Sequence, residues 1–138
     1  MTTAKCILVL TGIALIACTM VFGVGYALFD EHQTLTGMGM HMAGGFMEAA
    51  KGDMNAAFAS LDAYAALSEE YRNEVHSHGH WGMLSLILII LGLMFDRVSF
   101  SETQGVILAS LLAFSTAAFP LGVLLQIGPA APLGEILA

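Results

Sequence analysis

"WGMLSLILIILGLMFDRVSFSETQGVILASLLAFSTAAFPLGVLLQI", residues 81 to 127, holds two long apolar runs joined by a short polar linker. The later run, Val106 to Ile127, has 22 residues without a charge. Crossing the hydrocarbon core of a bilayer takes about 20 apolar residues in a helix. The earlier run, Trp81 to Phe95, has 15 and reaches that length when its helix starts back among the histidines before it. A segment in lipid must satisfy its own backbone polar groups, so both runs read as helices and the pair as a tight antiparallel hairpin. Ser101 and Gln104 carry the spacing of a capping box that starts the second helix sharply. Pro120 withholds a backbone donor from Thr116, which predicts a kink there.

Working outward, a third charge-free run lies at Cys6 to Phe29, "CILVLTGIALIACTMVFGVGYALF". Its length exceeds the h-region of a signal peptide, and the residues after the lipoprotein-like "LIAC" (15–18) stay apolar, so it reads as a retained span. The fold class expected is therefore an all-α integral membrane protein, one membrane domain over residues 1–138. It has transmembrane helices at about 6–29, 78–95 and 103–127 and an extramembrane helical segment at 30–77. Composition agrees: 57% of the 138 residues are hydrophobic and 11% charged, against about 25% charged in soluble domains. Tyr26 and Trp81 sit where amphipathic rings mark an interface.

Charge is concentrated. Asp30, Glu31, Glu48, Asp53, Asp62, Glu69, Glu70 and Glu74 oppose only Lys51 and Arg72 in the 30–75 segment. The absence of a basic patch excludes nucleic acid as a partner. Lys5 and Arg97, close to helix ends, place the amino terminus in the cytoplasm and segment 30–77 on the outer side of a bacterial inner membrane. Cys6 and Cys18 lie within the first span and read as small packing residues.

Within the outer segment, residues 54–75 read as an amphipathic helix capped by Asp53 and running on into the second span. Ala57, Leu61, Tyr64, Leu67, Ser68, Tyr71 and Val75 fall on one face, with Asn55, Asp62, Glu69, Glu70 and Asn73 elsewhere. Upstream, the glycine- and methionine-rich stretch 36–52 predicts only a short helix from about Met40 to Lys51. On the third span, Gly105, Ala109, Ala113 and Ala117 recur every four residues, a small-residue face for close helix packing inside the chain or against a partner subunit. "AAPLGEILA" (130–138) reads as a short interfacial helix.

The residues that could carry chemistry are His76, His78 and His80, three histidines within "HSHGH". On a helix His76 and His80 share a face and His78 points almost oppositely, with Glu74 one turn before His78 as a residue that could orient it. Imidazole suits copper, iron, zinc and nickel, and thioethers select Cu(I). A second set of candidate metal ligands is therefore His41 with Met38, Met40 and Met42, aided by Met47 or His32. Against these stand a polar collar at a helix end, methionine as adaptable filler, and a histidine cluster that switches with pH. No phosphate loop, nucleophile motif or repeated CxxC pair is present, and no carboxylate lies deep in a span, so an enzyme acting by itself and an ion pathway are both disfavoured.

At "VHSHGHWGMLSLILIILG" (75–92) the chain resembles small bacterial membrane proteins related to haem-copper oxidase subunit I. In those, a His-x-His or His-Gly element opens an apolar helix and a histidine there ligates haem. "GVGYALFDEHQTL" (23–35) is similar to their glycine-then-aromatic helix ending. The resemblance implies haem b or copper held through His76, His78 or His80. The third span has no histidine, so a second haem ligand would come from His32, His41 or another chain. Two functions follow as expectations: a redox-metal subunit of a membrane electron-transfer or metal-handling complex, or an accessory subunit with no cofactor of its own.

Overall fold

A computed structural model describes residues 2–126 and 131–137. Among these residues five α-helices follow one another: α1 (Thr3–Phe29), α2 (Glu31–Lys51), α3 (Met54–Met94), α4 (Glu102–Leu125) and α5 (Ala131–Leu137), with a 3₁₀ turn at Phe95–Arg97 before α4. The described residues contain no strand. Three helices, α1, α3 with its 3₁₀ extension, and α4, are long and apolar enough to cross a membrane. By its internal contacts the chain divides into two compact units, Met1–Phe22 with His76–Ala138, and Gly23–Val75.

In the first unit, α1 runs antiparallel to the second half of α3. The close approach follows from two glycines. A Cβ on Gly12 would stand 2.6 Å from Ile89 Cγ1 and 2.8 Å from the Ser85 carbonyl oxygen, and one on Gly92 would stand 2.7 Å from Val9 Cγ2. Helices in lipid gain nothing from leaving it for one another's apolar surface, so contact depends on fit, and missing side chains supply that fit. Leu8 and Leu88 are buried in the seam together with Ala4 and Ala109. From the small-residue face of α4, Gly105 and Ala109 pack inside this unit, where a Cβ on Gly105 would meet Phe95 at 3.1 Å. Ala113 and Ala117 are half-buried. The helix continues through the buried Pro120 to Leu125, and Trp81 Nε1 donates to the Ala117 carbonyl at 3.2 Å, in the turn before that proline. Ile127, the expected end of this span, lies outside the described residues.

At the other end of the unit, Lys5 Nζ sits 2.6 Å from Asp96 Oδ2, and the ammonium holds that carboxyl below the usual carboxylate range. The capping box forms as expected. Ser101 Oγ accepts from the Gln104 N–H at 3.3 Å, and Gln104 Oε1 accepts from the Ser101 N–H at 3.2 Å.

The second unit is built on the hairpin of α2 and the first part of α3. Gly52 takes the left-handed conformation, φ 84°, that closes a helix without a Cβ penalty. Its N–H donates to Ala49, and the Asp53 N–H to Glu48, each at 3.0 Å. Asp53 Oδ1 then accepts from the Ala56 N–H at 3.0 Å, the expected cap of α3. The helix expected from about Met40 begins instead at Glu31. Glycine lowers helix propensity, but packing outweighs propensity in a folded chain. Gly37, Gly44 and Gly45 face α3, where a Cβ would lie 3.1 Å from Leu67, 3.7 Å from Ser60 and 3.5 Å from the Ala57 carbonyl.

On α3, Ala57 is buried and Tyr64, Leu67, Ser68 and Tyr71 are half-buried, as the periodicity predicts. Three positions differ: Leu61 and Val75 are exposed, and Asn73 is buried at 7% exposure. The inward face follows 3.6-residue geometry, and Asn73 falls on it whatever its polarity.

Candidate metal centre

The histidines lie within the unbroken α3. Successive residues turn by about 100° around a helix axis, so the alternate spacing of the three divides them. His76 and His80 are both exposed, with ring centroids 6.2 Å apart and planes edge to face. His80 also sets its ring against Phe119 of α4, centroids 5.2 Å apart. His78 turns towards α1 instead, half-buried and stacked on Phe22 at 6.3 Å. Its Nδ1 is buried with no hydrogen-bond partner among the described residues. Phe22 also meets Trp81 edge-on at 6.0 Å.

Imidazoles one turn apart on a helix can chelate a single ion. With metal–nitrogen bonds of about 2.0–2.1 Å, the His76 and His80 rings need to close by roughly 1 Å, a change of side-chain rotamer. Such a pair leaves the rest of the coordination shell open. Among the described residues, no group of three or more His, Cys, Asp or Glu converges on one point. The pair is therefore a two-ligand platform within this chain.

The remaining candidates lie on α2, in the other unit. His41 and Met42 lie three and four residues after Met38 and share its face, while Met40 points away. Met40 and Met47 are exposed and His32 is exposed near the helix start.

Glu74, half-buried, is influenced by the Tyr26 hydroxyl and not by His78. Burial pushes that carboxyl up from the ordinary glutamate range. The nearby Tyr26 hydroxyl opposes the shift in part, and the Glu70 and Asp30 charges add to it.

Several residues around the site carry no motif. Phe22 and Phe119 are two of many phenylalanines in apolar runs. Ser77 and Thr19 are buried with side-chain oxygens lacking hydrogen-bond partners among the described residues. Gly79 and Gly82 floor an open groove of about 290 Å³ beside His78, walled by Ile16, Met20 and Leu86. The one signal for these was the run of small residues Ser77, Gly82, Ser85 and Gly92 amid large apolar ones, at the face where α1 docks. No family model, characterised protein or solved structure matches this chain.

Proposed function

We propose that this chain is a small multi-pass membrane protein that binds a redox metal through His76 and His80, as a subunit of a membrane electron-transfer or metal-handling complex. The observation that carries this reading is the placement of two exposed imidazoles on one face of α3 at 6.2 Å. Copper fits the pair better than haem b. Both rings reach towards the same side of one ion, whereas two axial haem ligands approach from opposite faces of the macrocycle. A haem b, which the resemblance to oxidase-related proteins implies, would take one of these histidines and a second ligand from His32, His41 or another chain. In this reading α1, the second half of α3 and α4 span a bacterial inner membrane. The amino terminus is cytoplasmic and segment 30–77 is outside, as Lys5 and Arg97 favour.

A second reading, an accessory subunit without cofactor, is favoured by a different observation. Segment 30–75 exposes Phe46, Met47 and Phe58 at 71%, 59% and 57%. Large exposed apolar side chains outside the expected spans fit a surface that meets partner chains.

The native protein purified in mild detergent separates the two by its reduced-minus-oxidised absorption spectrum and its bound metals. Copper, or a haem band, that disappears in His76→Ala and His80→Ala supports the first. A colourless, metal-free protein that copurifies with other chains supports the second.

A further inference from the structure

Two ligands do not complete a copper or zinc site, and the surface around them has a pattern of its own. Along the exposed side of α3 stand His76, His80, Met83, Ile87, Ile90 and Met94, all solvent- or lipid-accessible in the single chain. Their spacings are four, three, four, three and four. That is the heptad alternation with which two parallel helices interlock along a seam.

We infer that α3 is the axis of a homodimer, and that the His76–His80 pairs of two copies form one four-imidazole metal site at the head of that seam. The inference rests on the metal-binding reading above and deepens it. All copies of a membrane chain insert with the same orientation, so a closed pair has its two-fold axis along the membrane normal. The two α3 helices then run parallel and in register, and like residues oppose like residues. A seam through Ile87, Ile90 and Met94 packs apolar layers. The same seam at its other end brings four imidazoles together, filling the positions that one copy leaves open. Four nitrogen ligands match the four-coordinate preference of borderline metals.

The test uses the full-length chain in mild detergent, loaded with copper(II), with copper content and protein mass measured on the same sample. The inference expects a dimer carrying one copper per two chains, with copper content falling at least tenfold in His80→Ala. One copper per chain on a monomer overturns the dimer site and leaves the histidine pair as a metal site. Copper content unchanged by His76→Ala and His80→Ala overturns both. Register is read separately without metal, in a chain with Cys6 and Cys18 replaced by alanine. Ile87→Cys, on the seam, forms an intermolecular disulfide on mild oxidation, and Leu93→Cys, beside it, does not. Equal cross-linking at the two positions, or none at Ile87→Cys, overturns the parallel seam.

Discussion

Gly12 shows how much of this fold depends on atoms that are absent. A methyl group there would meet Ile89 and the Ser85 backbone well inside contact distance, and a backbone cannot rotate away as a side chain can. Gly12→Ala is expected to lower stability in detergent by about 1–3 kcal/mol, the usual range for an overpacked contact. Gly79→Ala, where a methyl meets nothing within 4 Å, should leave stability unchanged or raise it by up to about 1 kcal/mol through helix propensity. Thermal unfolding of the two variants side by side checks both. Glu74 supplies the pH counterpart. Burial raises its carboxyl, so the folded chain holds that proton more tightly than the unfolded one. Its contribution is then full below the ordinary glutamate range and is lost as pH rises through the raised value. Glu74→Gln should flatten that part of the stability–pH curve, and stabilise the protein at neutral pH, in melts recorded from acid to neutral. Neither residue announces its role in the sequence. Gly12 is one glycine among several in an apolar run, and Glu74 reads as solvated until Tyr26 is seen against it.

At the scale of elements, charge-free length made the three long helices legible, and local chemistry made their ends legible. Asp53 and the Ser101–Gln104 box could be read because a cap needs only neighbours in sequence. Ser101→Ala is expected to cost about 1 kcal/mol by freeing the first turn of α4, measurable as a lower midpoint in thermal unfolding. The start of α2 was not legible for the opposite reason. Gly37, Gly44 and Gly45 argue against a helix locally, and they are acceptable only because α3 lies against them. The burial of Asn73 has the same origin, since helix geometry and not polarity decides which positions face inward. Alternate spacing alone was enough to pair His76 with His80 and to set His78 apart. What His78 faces required the tertiary contact with Phe22.

For the whole molecule, three helices suited to a bilayer and an acidic segment between the first two define the arrangement proposed here. With segment 30–77 outside, a cysteine placed at Ala65, exposed on α3, should react with a membrane-impermeant maleimide in intact cells once the outer envelope is permeabilised. Protection there, with labelling only after the inner membrane is opened, would reverse the orientation. The histidines at the head of the second span then meet the outer aqueous interface, within reach of an ion or an electron carrier on that side. Metal binding by the His76–His80 pair is tested most directly by one titration: copper(II) into the full-length chain in detergent, for wild type, His76→Ala, His80→Ala and His78→Ala. His76→Ala and His80→Ala are each expected to weaken binding at least tenfold, with His78→Ala binding like wild type. Equal affinity in all four proteins would contradict it.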